Sequence, residues 1–178
     1  MKGTRVAARY SKAFLDLSLE LNKLEEAKVD AEVVFNAINT SRDLRNFLGS
    51  PVVKPLQKNK ILSEIFEKNI SELTMRFILL IVRHGRDKDM ENIFDQFMVQ
   101  YREHMNIVEV EFTTSTKVTA NVVANIKKML ESSTGKTIEI VETVDEKLIG
   151  GYIVDMANYR LDASLANGMR KLRRELVK

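Results

Sequence analysis

The chain has 178 residues and a formal net charge of +3, with 44% hydrophobic and 30% charged residues, the composition of an ordinary globular protein of one medium or two small domains. It has no cysteine and two histidines, His84 and His104, which form neither an i,i+4 pair nor an H-E-x-x-H motif, so disulfides, thiolate chemistry and a zinc hydrolase site are excluded. The longest apolar run, FILLIV at 77–82, falls far short of the roughly 20 residues a bilayer span requires, so no direct membrane insertion is expected.

The opening MKGTRVAARYSKAF lacks the apolar stretch of a secretion signal, and Asp16 and Glu20 argue against an organelle presequence. It starts an amphipathic helix over residues 5–22. Val6, Tyr10, Ala13, Phe14, Leu17 and Leu21 form its stronger stripe, and Ala8, Leu15 and Leu19 a thinner one. Residues 24–39 repeat the spacing with Leu24, Ala27, Ala31, Val34, Phe35 and Ile38. Ser41 suits the cap of a short helix over RDLRNFL, stopped by Gly49 and Pro51. Pro55 suits the first turn of a fourth helix carrying Leu56, Ile61, Leu62, Ile65 and Phe66. Ser71 caps a fifth over 72–84, ended by Gly85, and a sixth runs over about 90–104 with Ile93, Phe94, Phe97, Met98 and Tyr101 inward.

Near residue 105 the periodicity changes from helix to strand. IVEVEFTT alternates Val108, Val110 and Phe112 against Glu109, Glu111 and Thr113, as a half-buried strand does. A helix follows over 118–133, then a strand over 137–144. GGYIVDMANYRLD reads as a hairpin turning at Ala157 and Asn158. Asp162 or Ser164 caps a last helix with Leu165, Met169, Leu172 and Leu176 inward. The helix between the first two strands predicts a parallel crossover, and the hairpin an antiparallel pair. The expected fold is therefore α+β: a six-helix bundle over 1–105, then a small β-α-β-β-α unit over 106–178.

LESSTGKT at 130–137 ends like a phosphate-binding loop, but Leu130 stands at the first glycine position, a helix precedes Gly135 and a strand follows it. Gly135 reads as a helix stop, and no cofactor is implied. The scattered carboxylates, among them Asp87, Asp89, Glu91, Asp145 and Glu146, suit solvation or capping, so no catalytic constellation emerges. His84 suits the end of the fifth helix. Arg170, Lys171, Arg173, Arg174 and Lys178 form a basic strip without interleaved aromatics, which leaves a small basic nucleic-acid-binding module as the alternative function. Gly150 and Gly151 precede a strand and suit a bulge or a close backbone approach.

The fifth helix is apolar nearly all round: Leu73, Phe77, Leu80, Ile81 and His84 on one stripe, Met75, Ile78, Leu79 and Val82 on another. A small bundle encloses few helices completely, so a groove beside the first and fifth helices would accept an amphipathic helix from another chain.

In this order the segments resemble a known family. ARYSKAFLDLSLE, SPVVKPLQKNKILSEIF, LTMRFILLIVRHGR and above all VDEKLIGGYIVDMANYRLDASLANGMRKLRREL are similar to the delta subunit of F-type ATP synthases, the bacterial counterpart of the mitochondrial oligomycin-sensitivity-conferring protein. The turn MANYR departs from the Gly-Asp type of many relatives. The resemblance implies a non-enzymatic stator subunit of the peripheral stalk, hetero-oligomeric and peripheral on the cytoplasmic face of the bacterial inner membrane. The helical domain would hold alpha-subunit N-terminal helices, with Tyr10, Ala13 and Leu17 on the first helix and Phe77, Leu80, Ile81 and His84 on the fifth. The second domain would engage the C-terminal region of the b subunit, with Gly150, Gly151 and Arg170 as candidate contacts.

Overall fold

Residues 5–116, 120–145, 148–156 and 159–176 are described in a computed structural model with eight α-helices and one four-stranded mixed sheet among them. The chain divides between Tyr101 and Arg102, inside a helix rather than at the change of periodicity near residue 105.

The first unit holds α1 (Arg5–Glu20), α2 (Leu24–Thr40), α3 (Arg42–Gly49), α4 (Pro55–Phe66), α5 (Glu72–Arg83), a 3-10 turn (Asp87–Asp89) and the start of α6 (Met90–His104). Local chemistry sets these bounds. Ser41 accepts the Leu44 N–H at 3.2 Å and Ser71 the Thr74 N–H at 3.4 Å, each satisfying a donor the helix leaves free. Gly85 takes φ +65°, which lets the Arg86 N–H reach back to the Ile81 carbonyl at 3.0 Å and close α5. Asn22 takes φ +53° after α1, so that helix stops at Glu20 rather than at residue 22.

Four phenylalanines centre the helical core. Phe14 stacks on Phe77 with ring centroids 4.3 Å apart and planes at 9°, lies 4.9 Å from Phe97 and meets Phe94 edge-on. Ile38, Leu62, Phe66, Ile78, Ile81, Met90 and Ile93 fill the space around them. Each such side chain contributes roughly 1.5–3 kcal/mol on burial.

Two buried acids tie distant segments into this core. One Asp30 oxygen, from the middle of α2, accepts the Ser71 N–H at 2.9 Å, the Ser71 hydroxyl at 2.5 Å and the Thr74 hydroxyl at 2.7 Å. It thereby puts negative charge against the N-terminus of α5. Asp87 pairs with buried Lys58, whose ammonium also donates to the Leu48 carbonyl at 2.8 Å. That pair fastens α4 to the end of α3 and to the 3-10 turn.

The second unit holds the rest of α6, β1 (Ile107–Thr114), α7 (Ala120–Thr134), β2 (Thr137–Val144), β3 (Tyr152–Met156), β4 (Tyr159–Asp162) and α8 (Leu165–Leu176). The sheet order is β2-β1-β3-β4. β1 and β2 are parallel, with Val110 opposite Ile140; β3 runs antiparallel to β1, with Phe112 opposite Val154; β4 runs antiparallel to β3. Because the hairpin adds two strands after β2, the element order is β-α-β-β-β-α, one strand more than β-α-β-β-α. Val110, Phe112, Ile138 and Val154 form the buried centre, with Ile126 and Leu130 of α7 packed against it. The turn at Ala157 and Asn158 and the Leu176 side chain lie outside the described residues, as do Glu146 and the Lys171 and Lys178 side chains.

The expectation that Leu165, Met169 and Leu172 point inward fails: all three are exposed. The small core against α7 is filled without them.

Replacing Asp30 with Ala leaves the Ser71 and Thr74 donors without their acceptor, and unfolding free energy is expected to fall by about 1–3 kcal/mol. Urea denaturation reads the loss, and Asp30→Asn, which keeps an acceptor, should recover part of it.

Candidate partner-binding surfaces

α1 carries two faces that could be buried, and it buries the one with less carbon on it. Ala7, Ser11, Phe14, Leu15 and Ser18 point into the core. The two serines need no partner elsewhere, because Ser11 donates to the Ala8 carbonyl at 3.1 Å and Ser18 to the Phe14 carbonyl at 2.6 Å. The stripe Val6, Tyr10, Ala13, Leu17 and Leu21 is consequently turned outward. Val6 and Tyr10 are half-buried, and Ala13, Leu17 and Leu21 are exposed.

α5 lies alongside. Its Phe77 touches Phe14, and its capping His84 accepts or donates a 3.0 Å hydrogen bond through Nδ1 to the Tyr10 hydroxyl, the rings meeting edge-on at 6.2 Å. These two contacts run α1 and α5 in opposite senses, with Tyr10 and His84 at one end of their contact. Leu73, Phe77, Leu80 and His84 recur at i, i+4, i+7 and i+11, one face of the helix. Phe77 is nearly covered, Leu73 is half-buried, and Leu80 is 43% exposed. Leu80 also borders a shallow cleft with Pro55, Leu56 and Asn59 of α4.

Ile81 does not belong with these residues. It is 0% exposed and lies in the helical core with Ile78 and Val82. Tyr10 and His84 are in direct contact and Phe77 lies on Phe14; Ala13 and Leu17 are exposed on α1, Leu80 is exposed beside α4, and Ile81 is one position round α5 from Leu80, on the inward side.

Gly135 ends α7, with φ +67° and its N–H on the Glu131 carbonyl at 2.9 Å, and β2 starts at Thr137. Lys136 therefore sits between a helix end and a strand, the reverse of a phosphate loop.

In the second unit Gly150 and Gly151 serve a close approach of backbones. A Cβ on Gly151, at φ +82°, would lie 2.4 Å from the Ala163 carbonyl oxygen, and one on Gly150 would lie 2.7 Å from Leu165 Cδ1. The Ala163 N–H donates to the Tyr152 carbonyl and the Leu165 N–H to the Gly150 carbonyl, both at 3.0 Å, which fixes where α8 begins. Ser164 caps α8 by accepting the Asn167 N–H at 3.3 Å. Asp162 orients that cap, accepting the Ser164 hydroxyl at 2.5 Å and its N–H at 3.0 Å. The Ser164 hydroxyl, then its N–H, hold the Asp162 carboxyl below its ordinary value, with attraction from Arg170 and Arg160 adding to the shift. A value depressed on folding contributes stability above the ordinary carboxylate range and loses it as pH falls through the lowered value. Arg170 is exposed, its guanidinium 3.9 Å from Asp162. Beyond it, α8 displays Leu165, Met169 (69% exposed) and Leu172 to solvent.

Among the described residues, α1 and α8 each leave apolar side chains exposed. A family model described as the ATP synthase delta (OSCP) subunit matches residues 6–176. The chain belongs to that family. It is 32% identical over 176 residues to the ATP synthase subunit delta of Christiangramia forsetii, covering 99% of this chain and 95% of that protein. It is 30% identical over 177 residues to that of Cytophaga hutchinsonii, covering 99% and 97%. Its fold matches a chain of the Toxoplasma gondii mitochondrial ATP synthase hexamer with a TM-score of 0.72 over 98% of this chain and 99% of that one, at 21% identity.

Membership makes the chain a non-catalytic component of the peripheral stalk of an F-type ATP synthase, working within a hetero-oligomer. No helix among the described residues is long and apolar enough to cross a membrane. Nothing in these likenesses supports the nucleic-acid alternative.

The exposed apolar face of α8 was readable as amphipathic spacing but not as an outward face. Spacing says that a helix covers something, not whether the cover comes from its own chain.

Leu80 and Ile81 are adjacent in sequence and should respond oppositely. Ile81→Ala is expected to lower stability by about 2–5 kcal/mol, whereas Leu80→Ala should stay within about 0.5 kcal/mol. Thermal or chemical denaturation of the two variants separates them.

Proposed function

We propose that the chain is a two-ended clamp. The furrow between α1 and α5 receives the N-terminal helix of an alpha subunit of the catalytic head, and the second unit holds the C-terminal region of the b subunit. On this reading the helical unit is the head-binding domain and the mixed unit the stalk-binding domain. The complex stands on the cytoplasmic face of the bacterial inner membrane, with the b subunit supplying the membrane anchor.

The single observation that supports the head-binding end is the exposure of Ala13, Leu17 and Leu21 on α1 next to half-buried Tyr10. A bundle that buries serines while leaving leucines wet has kept apolar surface for a partner. An incoming amphipathic helix would lay its own stripe on that surface, over the Phe77 floor. Ala13, the smallest residue of the stripe, lets the partner backbone come close, and Tyr10 offers a large side chain that loses little entropy on docking. The displayed Leu165, Met169 and Leu172 support the same logic at the stalk-binding end.

The mechanical consequence follows from the two ends together. The rotor drags the catalytic head round with it unless the head is held. A connection from the head to a membrane-anchored stalk resists that drag. Rotation is then converted into conformational change at catalytic sites on other subunits, with no bond made or broken on this chain.

Two substitutions test the two ends separately. Ala13→Arg places a long charged side chain where the partner must pack, and should weaken binding of an alpha-subunit N-terminal peptide by at least about 2 kcal/mol in calorimetry, with the circular dichroism spectrum unchanged. Met169→Glu should abolish co-purification of the b subunit from solubilised membranes while the alpha subunit is retained. Unaltered affinity in the first case, or retained b subunit in the second, would overturn the corresponding end.

A further inference from the structure

Asn167 and Gly168 form the one Asn-Gly pair in the sequence, and they stand in the first turn of α8. In an open chain this pair loses its side-chain amide more readily than other Asn pairs do. The glycine nitrogen attacks Cγ of the asparagine, and the new C–N bond closes a five-membered succinimide. The Cγ–Nδ2 bond breaks, and with a proton the amide leaves as ammonia. Solvent water then opens the ring to aspartate or to isoaspartate, in which the main chain runs through the side-chain carbon. Glycine favours the step because it has no side chain to hinder ring closure and the freest backbone.

The fold withholds both reacting groups. The Gly168 N–H donates to the Ser164 carbonyl at 3.0 Å, so the nucleophile is engaged. The Asn167 Nδ2 donates to the Asp162 carbonyl at 2.9 Å, which ties the leaving group to the chain before α8. The Asn167 N–H is capped by the Ser164 hydroxyl at 3.3 Å. All three bonds hang on Ser164 and Asp162, and Asp162 itself holds the Ser164 hydroxyl and N–H. Nothing lies within 4 Å of where a Cβ on Gly168 would stand, so packing does not call for glycine there. Glycine lowers the helix propensity of the turn. With Leu165, Met169 and Leu172 exposed, few apolar contacts hold α8 down, and a segment of that kind opens locally at small cost.

We propose that Asn167 is a deamidation site gated by the first turn of α8. It converts only while that turn is open, and the Asp162–Ser164 cap sets how often this happens. The site stands or falls apart from either end of the clamp. Conversion is one-way. Aspartate at 167 loses the Nδ2 donor and turns a carboxylate toward the Asp162 carbonyl oxygen. Isoaspartate adds a carbon to the backbone and takes the first turn out of register. Either product weakens the turn whose opening produced it, so the chain keeps a permanent record that α8 has come undone.

The test incubates the full chain in mildly alkaline buffer beside the synthetic peptide ASLANGMRK, residues 163–171. Peptide mass spectrometry follows the change from amide to acid. Asn167 in the folded chain should convert more slowly than in the peptide. The slowing should match the hydrogen-exchange protection of the Gly168 N–H within about threefold, because one opening frees one nitrogen for both reactions. Asp162→Ala removes the acceptor that orients Ser164 and should raise the rate about tenfold. Gly168→Ala should lower it at least about fivefold through helix propensity alone. Conversion as fast in the chain as in the peptide, or Asp162→Ala converting at the wild-type rate, overturns the gate. No conversion in either chain while the peptide is consumed overturns the site. Should Asp162→Ala fail to fold, the wild type decides: slowing and protection that differ by more than about tenfold overturn the gate.

Discussion

The stack of Phe14 on Phe77 decides which side of α1 meets water. A helix that can bury either of two faces turns toward the larger gain, and Phe14 reaches three other phenylalanine rings at once. Aromatic pairs of this kind contribute about 0.5–1.5 kcal/mol each beyond the area they cover. Turning Leu17 and Leu21 inward would gain carbon but break the ring cluster. Two inward serines impose little penalty, since each hydroxyl is satisfied by its own helix. Once that rotation is set, Ala13 and Leu17 face outward and Tyr10 lies half-buried beside them.

The same contact would mean less if α5 could slide. Asp30 prevents that by taking three hydrogen bonds from the first turn of α5, through one buried oxygen on α2. Lys58 and Asp87 hold the segment that leaves α5. A buried ion pair is poor evidence of added stability, because desolvation offsets most of the attraction, but it penalises alternative arrangements that separate the charges. Both ends of α5 are thus fixed by polar contacts that a slipped helix would leave unsatisfied. On the clamp reading proposed above this matters, because the surface that takes the load must not yield before the partner does.

What could be read from the chain alone follows the range of the interactions involved. Ser41, Ser71, Pro55, Gly85 and Gly135 act within a few residues of themselves, so helix starts and stops were legible. The alternation of Val108, Val110 and Phe112 was legible for the same reason. The inward face of α1 was not, because counting serine as polar hides a face on which serine is internally bonded. Ile81 could not be told from Leu80 on a helix apolar all round, where only neighbours in space separate rim from core. Asp30 meets Ser71 across 41 positions of sequence, and nothing local announces the contact. The outward apolar face of α8 was misread because amphipathic spacing gives no sign of who covers it.

Two of these failures point to the same physics. A self-contained protein buries its best apolar stripes, and periodicity then predicts the core. On the clamp reading, a subunit that must hold partners keeps a good stripe on its surface and completes its core with second-best faces, a pattern that the buried serines of α1 and the exposed Leu165, Met169 and Leu172 of α8 fit. On that reading two such faces on one chain would make each attachment assist the other: once one partner is held, the second binds at an effective concentration set by the tether, and release requires both to let go. Weak, local and reversible contacts can then withstand a sustained torque, provided that the chain between them keeps its shape.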